Sequence, residues 1–341
     1  MELPCGVSKS TYAQDMAVIH TRTQWGLLGI LLAFLCVLPF FLDSLWLGIV
    51  IHTSIVLIAV LGLHILTGLC GQISLGQAAF LGVGAYASTL FCAKLNFPLP
   101  ISIIGAAIFS GCFGIIFGLP ALRVKGFYLA MSTLAAQFII IYLFIHVRFA
   151  GGSQGLFVPI PQFLESKINL YFIIMGTAVL ATAFAKNISR TKAGRIFVAI
   201  RDNDLAAEVI GIRLSYYKLL AFFICSLYAG IAGALYSLYI GHINYEHFSL
   251  MDSIWYLGML VVGGLGSTSG AVFGVIFISL LSKGTSLLAA QMPILGPQVA
   301  STIGIIVFGL ILVLFLIFEP RGLSHRWEIF KKFYRIWPFS Y

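Results

Sequence analysis

Residues 186–218 read KNISRTKAGRIFVAIRDNDLAAEVIGIRLSYYK and form the longest interruption in a chain otherwise built of apolar runs. Seven of the 20 basic residues fall within it: Lys186, Arg190, Lys192, Arg195, Arg201, Arg213 and Lys218. Basic loops between apolar spans are retained on the cytoplasmic side of a membrane, so this stretch fixes a topology as well as a class. At its centre, Asn203–Gly211 predicts a short capped helix. Asn203 or Asp204 accepts from the free N–H groups of the first turn, and Gly211 takes a left-handed stop position. A short helix held out on a cytoplasmic loop suits docking by another protein.

Working outward, 60% of the 341 residues are hydrophobic and 9% charged, and the mean hydropathy is +1.03. Soluble domains carry roughly 25% charged residues, so a water-soluble globule is excluded. The sequence predicts an all-α, polytopic helical membrane protein of about ten transmembrane helices, at 25–42, 46–67, 77–93, 101–119, 128–147, 170–185, 219–241, 250–266, 270–290 and 298–318. It divides into an N-terminal tail (1–24), a transmembrane domain (25–318) with the loop 186–218, and a basic C-terminal tail (319–341). Lys9 and Arg22, Arg123 and Lys125, and the tail residues Arg321, Arg326, Lys331, Lys332 and Arg335 all fall on the side of the basic loop. The opposite loop 242–249 has neither Lys nor Arg, so both termini are expected in the cytoplasm. The same bias accounts for the net charge of +9, and no nucleic-acid partner is implied. Cys5, Cys36, Cys70, Cys92, Cys112 and Cys225 lack metal-ligand or redox spacing and read as packing residues. The first span has no small-residue cleavage signal after it and reads as uncleaved.

Two segments resist a simple helix. Residues 68–76 are polar and glycine-rich, and the short eighth span runs into Gly263–Gly270. Irregular backbone at membrane depth is tolerated only in protein or against a water-filled cavity, so each is a broken helix lining a pathway or a tight turn. The strings 71–77 (GQISLGQ) and 151–155 (GGSQG) combine backbone freedom with uncharged hydrogen-bonding groups. They nominate Gln72, Ser74, Gly76, Gln77, Gly152, Ser153 and Gln154 as a path for a polar solute. The competing explanation is close helix packing with Ser and Gln as staples.

Ion-coupled transporters hold an ionisable residue deep in the bilayer. Here Asp43, Asp252, Glu165 and Glu246 all fall near span ends or in outer loops, and His52, His64 and His146 read as packed or interfacial. An ion-coupled secondary transporter is thereby disfavoured. No G-x-x-x-x-G-K-[ST] loop is present, and Ser282–Ser286 lacks its leading glycines. If ATP is used, a separate subunit hydrolyses it. His242, Glu246 and His247 are spaced one residue too long for an inverted zinc-protease motif, and no nucleophile elbow occurs. No catalytic residue, metal or cofactor is expected.

Several collinear motifs resemble one family. Leu61–Tyr86 (LGLHILTGLCGQISLGQAAFLGVGAY) is similar to the signature of branched-chain amino acid ABC transporter permeases of the M type. Leu122–Tyr128, Gly151–Leu156, Gly194–Asp202 and Phe318–Gly322 (FEPRG) follow in order, so the resemblance covers residues 45–323. It implies an importer in a bacterial inner membrane, built from this permease, a sister H-type permease and two ABC ATPase subunits, and fed by a periplasmic substrate-binding protein. The expected cargo is leucine, isoleucine and valine, with urea, amides or aromatic acids as alternatives. The coupling motif of such permeases reads Glu-Ala-Ala, three residues, Gly. Ala206, Ala207 and Gly211 match it, Leu205 stands in place of the Glu, and Asp204 and Glu208 are the acidic neighbours.

Overall fold

The computed structural model describes residues 22–124, 126–147, 151–164, 166–290, 297–319 and 322–336. The helices are α1 (Arg22–Phe41), α2 (Ser44–Leu63), α3 (Gln77–Leu95), α4 (Leu99–Gly118), α5 (Phe127–His146), α6 (Lys167–Ile188), α7 (Lys192–Asp202), α8 (Asp204–Val209), α9 (Leu214–Ile240), α10 (Leu250–Gly263), α11 (Thr268–Ala290), α12 (Pro297–Phe318) and α13 (Leu323–Ile336). A π-helical turn, His64–Leu69, prolongs α2. The two-residue strands β1 (Leu156–Phe157) and β2 (His242–Ile243) pair antiparallel, with Leu156 opposite Ile243.

Seven described stretches are long and apolar enough to cross a membrane: 44–69, 77–95, 99–118, 127–146, 167–188, 214–240 and 268–285. Two shorter apolar stretches, Trp25–Phe41 and Ile306–Phe315, lie in α1 and α12. The expected eighth span is corrected: α10 has 14 residues, about 21 Å of helix against a hydrocarbon core of ~30 Å. The first described helix includes Arg22, a residue of the expected N-terminal tail. The expected C-terminal tail contains the helix α13. Lys9, Lys125, Glu165 and Arg321 lie outside the described residues, as does the side chain of Ser153.

Helices in lipid gain nothing by hiding apolar surface from an apolar solvent, so close van der Waals fit and hydrogen bonds hold them together. The run Ala229–Ala234 (AGIAGA) of α9 supplies that fit. A Cβ placed on Gly233 would sit 1.9 Å from the Leu81 carbonyl oxygen of α3, and one on Gly84 only 2.4 Å from Gly230 Cα. From α4, Gly114 and Gly118 admit Ser226 and Phe222 of α9. α9 thus lies against α2, α3 and α4 at backbone distance. The outer faces of α4, α5 and α6 display Ile104, Ile108, Ile116, Phe138, Ile139 and Leu180, the surface expected against lipid.

Candidate functional site

Of the two irregular segments, 68–76 is a break whose following helix start is satisfied by other helices, and 264–267 is a tight turn. After the π-turn the Gln72 N–H donates to the Leu66 carbonyl at 3.1 Å, and Thr67 Oγ1 donates to the Gln72 carbonyl at 3.0 Å. The chain then turns back toward the middle of α5. There the Leu75 N–H donates to Thr133 Oγ1 (2.9 Å), the Ala78 N–H to Ser253 Oγ (2.9 Å) and the Ala79 N–H to Gln137 Oε1 (2.9 Å). A helix start leaves several N–H groups unpaired, and here α5 and α10 answer them inside the protein. Gln137 Nε2 also donates to the Phe248 carbonyl at 2.7 Å, so the 3₁₀ turn Tyr245–Phe248 reaches the same depth before α10 begins. Thr133, Gln137 and Ser253 are fully buried. Ser249 and Asp252 close a reciprocal capping box on α10. Segment 68–76 is therefore a break held inside the protein, whereas 264–267 is a tight turn between α10 and α11, closed locally by the Gly270 N–H donating to Ser267 Oγ at 2.9 Å.

At the other end of the break stands the basic loop. Thr191 caps α7 and Asn203 caps α8, its Oδ1 accepting from the Ala206 N–H at 3.1 Å. Asp204 instead faces Lys218 of α9 at 3.7 Å. Gly211 takes φ +87, the left-handed stop after α8. Arg201, near the end of α7, joins three elements. Its Nη1 donates to the Gly68 carbonyl at 3.0 Å, its Nε and Nη2 donate to Asp202 Oδ1, and its stem lies where a Cβ on Gly71 would come within 2.7 Å of Cγ. A Cβ on Gly266 would approach Arg201 Nη1 to 3.2 Å. One guanidinium thus touches the 68–71 break and the 264–267 turn that follows α10.

Residues expected to contact an ATPase divide by face. Leu205, Val209 and Ile210 are exposed at 65, 88 and 74%, and Ala206 and Glu208 are exposed with them, whereas Ala207 is buried at 2% against the chain's own core. Residues of the expected path divide too. Gln72 lines a cavity of about 330 Å³ with Val124, Leu129, Arg201, Asp204 and Lys218, and its Oε1 has no hydrogen-bond partner among the described residues. Gln77 staples helices: Nε2 donates to the Ala59 carbonyl at 2.8 Å, and Cys225 Sγ donates to Oε1 at 3.1 Å. Ser74 is fully buried and accepts from the Gly76 N–H, and Gly76 lies against the Thr133 carbonyl, 2.9 Å from where a Cβ would stand.

Gly152–Gln154 form a 3₁₀ turn on the opposite face, beside the β-pair. Gly151 and Gly155 flank it at φ +77 and +74, and the Gln154 carbonyl meets His242 Nε2 at 3.0 Å. A Cβ on Gly152 would meet the Ile145 carbonyl of α5, whereas Leu75 meets Thr133. Those two α5 residues lie about 18 Å apart along the helix. The two Gly-Ser-Gln strings are thus not brought together. The residues missed by inspection of the sequence are Thr133, Gln137 and Ser253, and Arg201 as a specific contact. The available signal was a Gln in the middle of the apolar run 127–146.

Residues 45–316 match the family model for the permease component of branched-chain amino acid transport systems. The chain belongs to that family. The matched region contains the 68–76 break, the 264–267 turn, the α7–α8 pair and the buried Thr133–Gln137–Ser253 group, and stops short of α13. The permease is 27% identical to the high-affinity branched-chain amino acid transport system permease protein LivM of Salmonella typhimurium, over 84% of this chain and 71% of the relative. It is 27% identical to the probable branched-chain amino acid transport permease protein LivM of Methanocaldococcus jannaschii, over 66% of this chain and 68% of that one. The autoinducer 2 import system permease protein LsrC of Enterobacter sp. is 26% identical over 71% of each. No solved structure matches the permease.

Proposed function

We propose that this chain is the transmembrane permease subunit of an ATP-driven ABC importer in a bacterial inner membrane. In this reading it carries leucine, isoleucine and valine into the cytoplasm, with the 186–218 loop and both termini on the cytoplasmic side. The observation that carries the reading is the wiring of the loop helices into the 68–76 break and the turn after α10. Arg201 of α7 holds the Gly68 carbonyl and lies on Gly71 and Gly266, and α8 continues from α7 with an exposed apolar face made by Leu205 and Val209. Two ATPase subunits dock on that face, and their closure on ATP displaces α8 and α7 together. The displacement reaches the 68–76 break through Arg201 and α9 through the Lys218–Asp204 pair. The solute, delivered by a periplasmic binding protein, passes between this chain and a sister H-type permease. Segment 71–77 borders that route, with Gln72 nearest open space. The protein performs no covalent chemistry.

A second reading keeps the machinery and changes the cargo, and the 26% identity to LsrC favours it. Proteoliposomes holding the permease, its sister, the ATPases and the binding protein separate the two. Radiolabelled leucine, isoleucine and valine are expected to accumulate only with ATP inside the ATPase compartment and binding protein opposite. Accumulation of autoinducer 2 in place of the amino acids overturns the assigned cargo. Accumulation without ATP overturns the importer class.

A further inference from the structure

Residues 319–322 alone separate the end of α12 from α13, so a helix that leaves the membrane is followed at once by one starting at its surface. Written on a 3.6-residue period, residues 323–336 (LSHRWEIFKKFYRI) divide into two arcs. Leu323, Trp327, Ile329, Phe330, Phe333, Tyr334 and Ile336 fall on one half; Glu328, Lys331, Lys332 and Arg335 fall on the other. Three cations against one carboxylate give the polar arc a net positive charge. Arg326 falls within the apolar half, between Phe333 and Phe330, and is paired with Glu319.

The start of α13 is fixed. Gly322 (φ +74) meets Gly264 so closely that a Cβ would lie 2.4 Å from Gly264 Cα, and Ser324 is buried. Trp327 leans edge-on to Phe273 of α11, with ring centroids 5.7 Å apart, and stacks with Phe330 at 5.9 Å. Yet Trp327, Ile329 and Phe330 remain 51, 45 and 61% exposed. Water is a poor solvent for that half of the helix, and the fold anchors the helix without covering it.

We propose that α13 is an interfacial helix that seats on anionic phospholipid of the same membrane. An aromatic-rich apolar arc placed at the headgroup–acyl boundary, below a lysine- and arginine-rich arc, is the arrangement by which a helix lies in a membrane surface. Each basic residue near an anionic surface adds to the attraction. Continuity with α12 places the arc at the right depth, and the positive arc selects acidic headgroups over zwitterionic ones. The proposal does not depend on the transported solute.

The test uses the full complex in vesicles of phosphatidylcholine with or without phosphatidylglycerol. An environment-sensitive dye is attached at Phe330→Cys or, separately, at Glu328→Cys. With phosphatidylglycerol present, the dye at 330 is expected to be quenched several-fold more by brominated acyl chains than by aqueous iodide, and the dye at 328 to show the reverse. Lys331→Gln, Lys332→Gln and Arg335→Gln combined are expected to abolish the difference between the two vesicle types at 330. Iodide quenching at 330 in phosphatidylglycerol vesicles overturns the proposal. So does protection of 330 from both quenchers, which would mark a protein subunit as the occupant. Acyl-chain quenching equal in both lipids overturns the assignment of the headgroup.

Discussion

Gln137 shows how much one side chain can hold when its surroundings exclude water. Its amide serves the start of α3 through the Ala79 N–H and the turn before α10 through the Phe248 carbonyl, and it accepts from Ser253 Oγ at 3.2 Å. Gln137→Ala strands those groups in a buried site, where each unsatisfied partner costs about 1–3 kcal/mol. The expected loss is about 3 kcal/mol or more, read as a lower unfolding midpoint of the purified complex in detergent. Ser74→Ala removes only a local contact to the Gly76 N–H, 3.3 Å long, and is expected to cost about 1 kcal/mol or less. Equal midpoints for the two variants would refute the ranking. The sequence placed Ser74 and Gln77 in a polar path because both sit in a glycine-rich string. It had no means of showing that Gln77 is engaged by Ala59 and Cys225, residues distant in the chain.

At the scale of elements, α8 was legible because its signals are local. Asn203 caps it and Gly211 ends it, each within a few residues of the helix. Which side faces out was not legible, because a six-residue helix has hardly two turns on which to show a period. The structure makes Ala206→Glu and Ala207→Glu different experiments. Ala206 is exposed, so its replacement is expected to leave folding intact and to weaken co-purification of the ATPases by tenfold or more. Ala207 is buried, so a carboxylate there is forced into apolar packing and is expected to lower the amount of folded permease itself. Membrane yield and ATPase pull-down, measured together, separate the two outcomes, and equal behaviour would remove the assigned faces. The helix α10 teaches the reverse lesson. Hydropathy carried it on to residue 266, whereas the actual helix stops at Gly263, packed so closely on α11 that a Cβ there would lie 2.0 Å from the Gly270 carbonyl oxygen.

For the whole molecule, the question is whether motion at the loop reaches the 68–76 break. Arg201→Ala deletes the bond to Gly68 and the contact along Gly71. The complex is expected to assemble and to hydrolyse ATP at a near-normal rate while importing solute several-fold less per ATP. A fall in hydrolysis matching the fall in uptake would show Arg201 to be merely structural, and Arg201→Lys is expected to recover part of the ratio. Topology is tested separately. A cysteine at Phe157, 81% exposed beside the β-pair, is expected to react with an impermeant maleimide in intact cells. One at Lys192 is expected to react only after lysis, and labelling in the opposite sense would invert the assigned orientation.

The sequence alone determined the solvent this chain folds in, because its apolar runs and scarcity of charge leave no alternative to a lipid environment. It also determined the place of the loop helices and of the two irregular segments, though not which was a break and which a turn, since Gly, Asn, Thr and the density of Lys and Arg act over a few residues. What only the tertiary structure decided is where the backbone groups freed at the break find partners. Thr133, Gln137 and Ser253 are separated by up to 175 residues from the N–H groups they receive, and no local pattern records such a pairing. The same holds for Arg201, one of seven basic residues in its loop, whose bond to the Gly68 carbonyl exists because folding brings the two together.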